Sequence, residues 1–344
     1  MISLYLGLLI FSFLITSILV VPFISLLYKL KFYRRVQQTK DTEGVRTKIF
    51  DKFNNSKAGT PVGGGLLVIG ITFLLYLILF PLLSFWGTYI RTSFKMMDEL
   101  NILFFTFISF GLLGLYDDIK KFFGFEKSGF FGLRLRHKFL IQWILAFIVS
   151  SMMYFNLGLS IVNIPSWGVL HLGPVFIPLA AFAIVTFANA FNITDGLDGL
   201  SSGVLLICLF AFWILSSTVL DTPLSVFIAI WIGSLIAFLY FNVYPARIFL
   251  GDVGALSFGA TLAVIGLLIG KFVALIIIGG IFIIEVGSSL IQILSKKFFK
   301  RKAFAVAPFH LWLQNRGWEE PKIVMRAWLA AFILAIFGLW LSYI

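Results

Sequence analysis

Of the 15 acidic residues in this 344-residue chain, five fall in three short segments otherwise rich in Asn, Thr, Gly and apolar residues. Asp117 and Asp118 stand in Gly114-Leu115-Tyr116-Asp117-Asp118-Ile119-Lys120-Lys121. Asp195 and Asp198 stand in Asn189-Ala190-Phe191-Asn192-Ile193-Thr194-Asp195-Gly196-Leu197-Asp198-Gly199, and Asp252 in Phe249-Leu250-Gly251-Asp252-Val253-Gly254. Taken singly, each is equally well explained as a solvated helix end or an N-cap. Taken together, hard oxygen ligands with little positive charge in two of the segments suit Mg²⁺, usually held by one or two carboxylates plus substrate phosphates. A nitrogen or sulfur site is disfavoured: there is one cysteine, and of three histidines only His137 and His310 fall on the same side of the chain's topology as these acids. Lysines that could hold phosphate stand nearby: Lys121 after the Asp pair, Lys138, and Lys57 before Ala58-Gly59-Thr60-Pro61-Val62-Gly63-Gly64-Gly65. Glycines with Thr-Pro at a helix start can offer backbone N–H groups to an anion, although small residues also let membrane helices pack closely. A metal, lysines and phosphates together point to phosphoryl transfer.

The elements that must position these residues are membrane helices. The chain is 60% hydrophobic and 12% charged, with a mean hydropathy of +1.03, a balance no soluble globular domain has. Windows free of Asp, Glu, Lys and Arg run over 1–28, 58–90, 100–116, 139–194, 199–220, 222–246 and 253–270, and 327–344 ends the chain; 272–295 has one such residue, Glu285. A span needs about 20 apolar residues, and 139–194 is long enough for two, so ten transmembrane helices are expected, packed as one all-α domain over residues 1–344. Disorder, a secreted disulfide scaffold and a nucleic-acid-binding domain are excluded. The net charge of +12 follows topology: with an external N-terminus, all Lys and Arg except Arg91, Lys95 and Lys271 fall on one side, which the positive-inside rule makes cytoplasmic. Both termini are then external and the acidic segments lie on the cytoplasmic face of a multi-pass inner-membrane protein. Residues 1–28 lack a basic n-region and read as a retained helix. Cys208 reads as a small core residue. Glu285, in Ile283-Ile284-Glu285-Val286-Gly287-Ser288-Ser289, reads as bonded to a neighbouring helix through the Gly-Ser-Ser surface rather than as part of a polar cavity. Two β-prone runs around Pro165-Ser166-Trp167-Gly168 predict a small external hairpin near 160–172.

Five motifs carry a resemblance. Gly-Thr-Pro-x-Gly-Gly at 59–64, Asp117-Asp118 with Lys121, the Asn189 to Gly199 segment, Tyr244-Pro-Ala-Arg-Ile-Phe-Leu-Gly-Asp-Val-Gly at 244–254, and Ala307-Pro-x-His310 resemble the polyprenyl-phosphate N-acetylhexosamine-1-phosphate transferases, from about Lys57 to the C-terminus. Gly317-Trp318-Glu319-Glu320-Pro321-Lys322-Ile323-Val324-Met325-Arg326-Ala327-Trp328 is similar to the branch that uses UDP-MurNAc-pentapeptide. That branch typically has three consecutive histidines where this chain reads His310-Leu311-Trp312, so only the first is carried over.

The resemblance implies ten helices and transfer of phospho-MurNAc-pentapeptide from UDP-MurNAc-pentapeptide to undecaprenyl phosphate, giving lipid I and UMP with Mg²⁺ as cofactor. It implies catalytic roles for Asp117, Asp118, Asp252 and His310, with Asp252 the first metal ligand and Asp118 and Asp195 behind it. Asp117 would deprotonate or position the lipid phosphate, or else only orient Lys121 or the metal. Lys57, Lys121 and Lys138 would bind phosphates; Asn242 and Phe249 would bind the uridine; Asn192, Asp195 and Asp198 would hold the loop. The prenyl chain would lie in a groove by the second helix, and a homodimer is the family precedent. Two alternatives stay open: a UDP-GlcNAc transferase for teichoic acid or surface polysaccharide, which His310-Leu311-Trp312 allows, and, more remotely, a transporter, for which Glu285 would be the mark.

Overall fold

A computed structural model describes residues 2–34, 57–85, 89–123 and 135–344. Backbone polar groups in a bilayer must be satisfied within each segment, and the long apolar runs accordingly form helices: α1 (Ile2–Lys29), α2 (Gly64–Phe85), α3 (Met96–Phe123), α4 (Leu135–Leu157), α5 (Phe176–Thr194), α6 (Leu200–Thr218), α7 (Thr222–Asn242), α8 (Gly251–Leu268), α9 (Phe272–Ile278), α10 (Gly280–Phe299), α11 (Phe309–Asn315) and α12 (Glu320–Ser342). Among the described residues nine helices are long and apolar enough to cross a membrane, and the pair α9 and α10, bent by 77°, makes ten when taken as one span.

Burial separates an inner set of helices from an outer one. The 18 residues of α8 are buried almost throughout, whereas α1, α4 and α12 leave most of their surface open. Those open faces carry Ile10, Leu14 and Ile18 on α1 and Leu329, Ile333 and Ile336 on α12, side chains suited to lipid. α8 packs against α3, α5 and α2, and α1 lies along α7. Close approach is bought by small residues: a Cβ on Gly65 of α2 would stand 2.3 Å from the backbone of Gly254 on α8, the device by which membrane helices gain packing contact. Buried hydroxyls join the same helices, Ser12 donating to the Ile230 carbonyl at 2.7 Å and Ser257 to that of Phe107 at 2.6 Å. Cys208 is buried, its thiol donating to the Ile278 carbonyl at 3.3 Å.

The predicted hairpin forms from β1 (Ile161–Ile164) and β2 (Gly168–His171), antiparallel, with Ile161 opposite His171. Its turn uses positive φ at Ser166 and Gly168. Beside it lie Lys271 and the C-terminal residues 341–344, at the end of the bundle away from the acidic segments.

Several boundaries differ from expectation. α3 runs on to Phe123 and so carries Asp117, Asp118 and Lys121 within it, and α12 starts at Glu320 instead of Ala327. Asp117, Asp118 and Lys121 pair with one another and with Asp252 and Lys138, and Glu320 pairs with Lys57. Lys120 lies over Tyr116, and Lys322 and Arg326 over Trp318. Together these contacts lower the cost of charges in a helix at the membrane boundary.

Candidate active site

The site is assembled where α3 ends and α8 begins. Asp117 and Lys121, one turn apart on α3, pair at 3.2 Å. Asp252 occupies the first turn of α8, where unsatisfied N–H groups and the helix dipole favour a carboxylate. Asp118 caps the same helix from outside, its Oδ2 accepting the Val253 N–H at 3.0 Å. Two glycines make this crossing possible. A Cβ at Gly114 would lie 2.1 Å from the Asp252 carbonyl oxygen, and one at Gly251, whose φ is +80°, would lie 2.7 Å from the Asp118 carboxylate.

Lysines from two helices converge on Asp252. Its Oδ2 accepts from Lys121 at 2.7 Å and from Lys138 in the first turn of α4, while Oδ1 accepts from the Asn192 amide at 3.1 Å. Lys138 also reaches Asp117 at 2.9 Å. Asp117 and Asp118 are buried, whereas Lys121 keeps 27% of its side chain open. Three carboxylates thus share two ammonium groups, which leaves one negative charge over when all are ionised. Among the described residues no three His, Cys, Asp or Glu side chains form a ready-made metal cage. The donor set nonetheless fits Mg²⁺, which asks for one or two carboxylates and takes its other oxygens from water and substrate.

The Asp195–Asp198 loop borders this cluster. Asp195 accepts from Ser201 at 2.5 Å. Burial pushes its carboxyl up to about 7, with the Ser201 hydroxyl opposing and the nearby Asp252 charge adding to the rise. Asp198 is the hub of a second group: Lys57 donates to it at 2.7 Å and to Glu320 at 2.6 Å, and its second oxygen accepts the Ala246 N–H at 2.9 Å. Glu320 also accepts the Asp198 N–H at 2.6 Å. This knot ties the start of the Lys57–Gly65 segment, the acidic loop, the 244–250 loop and the start of α12 together. Lys57 therefore stands against two carboxylates, and its charge is balanced without phosphate.

Phe249 lies next to that knot, with the Arg34 guanidinium 5.8 Å and the Lys57 ammonium 6.0 Å from its ring centre. The Phe249 backbone fixes the preceding segment. The N–H groups of Gly63 and Gly64 donate to its carbonyl at 3.1 and 2.9 Å, and Gly65 donates to that of Leu250 at 2.9 Å. Of the two readings left open for these glycines, close packing is the one observed: backbone carbonyls take the N–H groups of Gly63, Gly64 and Gly65, and Gly65 lies against Gly254. Asn242 is buried, donating to the Ile248 carbonyl and accepting from Ser202, both at 2.9 Å; its amide shapes the loop that carries Phe249.

His310, on α11, is buried against Glu285 of α10, and its ring edge lies on Gly196. The Gly-Ser-Ser surface proposed for Glu285 is not what its carboxylate uses; Ser288 bonds only the Glu285 backbone carbonyl. Trp328, in the Gly317–Trp328 segment, packs so closely on α6 that a Cβ at Gly203 would lie 2.1 Å from its ring, and its indole N–H donates to the Gly199 carbonyl at 3.2 Å. Sequence reasoning missed Arg34, Ser201 and Glu320 as members of the site. Arg34 was hidden among the topological bases, and Glu320 in a stretch read only as a motif.

A polytopic helical bundle with a carboxylate and lysine centre at one end of its spans has the build of an integral membrane enzyme. The Glycosyl transferase family 4 pattern matches residues 100–270. The phospho-N-acetylmuramoyl-pentapeptide-transferase of Caldanaerobacter subterraneus subsp. tengcongensis is 35% identical over 311 residues, covering 90% of each chain. That of Clostridium perfringens is 35% identical over 318 residues, covering 91% of this chain and 89% of its own, and that of Halalkalibacterium halodurans 34% identical over 336, covering 97% and 96%. The chain belongs to the phospho-N-acetylmuramoyl-pentapeptide-transferase family and is a membrane-embedded phosphotransferase of peptidoglycan biosynthesis.

Proposed function

We propose that the chain transfers phospho-MurNAc-pentapeptide from UDP-MurNAc-pentapeptide to undecaprenyl phosphate at the cytoplasmic face of the inner membrane. An oxygen of the lipid phosphate attacks the sugar-linked phosphorus, the bond between the two phosphorus atoms' bridging oxygen and that phosphorus breaks, and UMP leaves with the electron pair. The product is undecaprenyl-diphospho-MurNAc-pentapeptide, lipid I. The observation that carries this reading is the Asp117, Asp118 and Asp252 cluster on Lys121 and Lys138, at the end of the spans where the chain's bases concentrate.

Both reactants are anions, so charge neutralisation and in-line placement matter more than covalent help. Lys121 and Lys138 move from Asp252 and Asp117 onto the phosphates as these arrive. Asp117 takes the acceptor phosphate's proton or holds that group in place beside Lys138. Asp252 and Asp118, with Asp195 behind them, would hold Mg²⁺, which when bound neutralises the diphosphate and orients it. Phe249 stacks on the uracil, as aromatic side chains do on bases. The roles of Lys57, Asn192, Asn242 and Asp198 are then to hold the loops around the nucleotide.

Purified protein with undecaprenyl phosphate and Mg²⁺ tests the reading through UMP release, comparing UDP-MurNAc-pentapeptide with UDP-GlcNAc. Release from the muramoyl substrate alone, abolished by chelation with EDTA, is expected. Release from UDP-GlcNAc alone would replace the substrate assignment while keeping the reaction, and no UMP from either would overturn it.

A further inference from the structure

We propose that Glu285 is a positioning residue for His310, holding the imidazole by Nδ1 so that Nε2 is aimed at the Asp195–Asp198 loop. The inference rests on the transferase reading above and extends it to a residue deep in a span.

A carboxylate buried to 3% exposure within apolar helix α10 is costly unless fully partnered. The hydrogen bonds of this one go to His310. The His310 backbone N–H donates to Oε1 at 3.1 Å and to Oε2 at 3.3 Å, and Nδ1 lies 3.0 Å from Oε2. An ionised carboxylate only accepts, so Nδ1 carries a proton and Nε2 is the nitrogen left for the substrate. The opposite edge of the ring meets the acidic loop: a Cβ built on Gly196 would stand 2.5 Å from Nε2. Gly196 is the residue between Asp195 and Leu197 in the loop that borders the Asp252 cluster, so Nε2 is delivered to the place where a diphosphate or its sugar would be handled. The bidentate grip matters because α11 is a seven-residue helix with little of its own to fix the ring. A carboxylate that orients a working histidine through its other nitrogen is a recurrent arrangement, and losing it costs about 10- to 100-fold in activity.

The test uses the full-length protein in lipid nanodiscs, labelled with ¹⁵N-histidine. With three histidines in the chain, His310→Gln identifies the resonance. With the imidazole neutral, the wild type is expected to show a protonated Nδ1 and a bare Nε2 at His310. Glu285→Gln keeps an oxygen for the His310 N–H but loses the charge; it is expected to populate the Nε2–H tautomer and to lower kcat for UMP release about 10- to 100-fold, with KM for the sugar nucleotide changed by less than about threefold. Glu285→Asp restores part of the loss. In the His310→Gln background, Glu285→Gln costs nothing more. Retention of the wild-type tautomer in Glu285→Gln, or a loss that adds in full to that of His310→Gln, would overturn the proposal. A wild type that releases no UMP from any sugar nucleotide would sink the transferase reading instead, and the tautomer spectra would still decide how Glu285 holds the ring.

Discussion

Each end of the helical bundle buries a group of carboxylates, and the two groups have opposite partners. At one end Asp117, Asp118 and Asp252 are drawn together by Lys121 and Lys138. At the other, Glu99 at the start of α3 faces Asp221, the N-cap of α7, and among the described residues no lysine pairs with either. Thr92 donates to Glu99 at 3.0 Å and the Leu224 N–H to Asp221 at 3.1 Å. Hydroxyls and backbone N–H groups fix a shape but supply no mobile charge, so the Glu99 end can act as a clasp between the 89–95 segment and α7. Ammonium groups on flexible stems can leave their carboxylates for a phosphate. At the first end two of them lie on the buried Asp117 carboxylate, whereas at the Glu99 end Lys95 pairs with Asp98 at 3.5 Å out in the open and Lys271 donates to the Ser342 carbonyl. A buried acid in a membrane protein marks function by its company more than by its depth.

The sharpest break between the two ends is Asp252→Ala. It removes the acceptor that Lys121, Lys138 and Asn192 share, and UMP release is expected to fall about 10²- to 10³-fold, while the thermal midpoint in detergent falls less than in Lys57→Met, because Asp117 still pairs with both lysines. Glu99→Gln is the counterpart: activity stays within about twofold while the midpoint moves. If Glu99→Gln cost as much turnover as Asp252→Ala, the division between a working end and a structural end would collapse.

Gly114→Ala probes the crossing that makes the working end. The added methyl meets the Asp252 carbonyl at 2.1 Å, so α3 and α8 must part. Overpacking of this kind costs about 1–3 kcal/mol, and a shift of about 1 Å in the reacting groups can cost about 10²-fold in rate. Both a lower midpoint and a lower kcat are expected. Ala at Gly70, where nothing lies within 4 Å of a Cβ, is the control that should do neither.

Lys57→Met decides whether the lysine near Phe249 belongs to the chemistry or the scaffold. The substitution strands the buried carboxylates of Asp198 and Glu320, and breaking a buried pair costs about 3–5 kcal/mol. A fall in the thermal midpoint is expected, with Asp198→Asn in the same chain recovering part of it. A loss of turnover at unchanged midpoint would instead return Lys57 to the phosphates.

What the sequence reveals and what it hides follow from the range of the forces involved. Spans are legible because the lack of charge over about 20 residues is a local property, and the hairpin because Pro165-Ser166-Trp167-Gly168 is a local turn. The Asp117, Asp118 and Asp252 grouping is legible because few acids exist and each must be placed at some cost. Partners distant in the chain are not. Nothing in the spacing tells Lys57 from Lys138, yet one faces Asp198 and Glu320 and the other Asp117 and Asp252. Glu285 and His310 are 25 residues apart and meet because the chain turns back after α10 and packs α11 against it. The glycines before α2 were ambiguous for a related reason: free N–H groups and close packing call for the same residue, and only the Phe249 and Leu250 carbonyls separate the two.

The smallest effect expected is at the structural end, and it depends on pH. Burial raises the Asp221 carboxyl above its ordinary value of 3.8, while the N–H groups of Leu224 and Ser93 and the hydrogen bond to Glu99 oppose the rise. The groups that face it from the neighbouring helices are Glu99 on α3, Tyr5 on α1 and Tyr76 on α2. The folded protein therefore holds the Asp221 proton more tightly than the unfolded chain. Its contribution to stability is fully present below 3.8 and is lost as pH rises through the higher folded value. Asp221→Asn keeps a good N-cap and removes that loss. The variant should match the wild type in thermal midpoint at pH 4 and exceed it by about 2 °C at pH 8, with turnover unaltered at both. An equal shift at the two pH values would mean that capping geometry and not the proton governs this end, and the contrast with the lysine-held cluster would then rest on the cations alone.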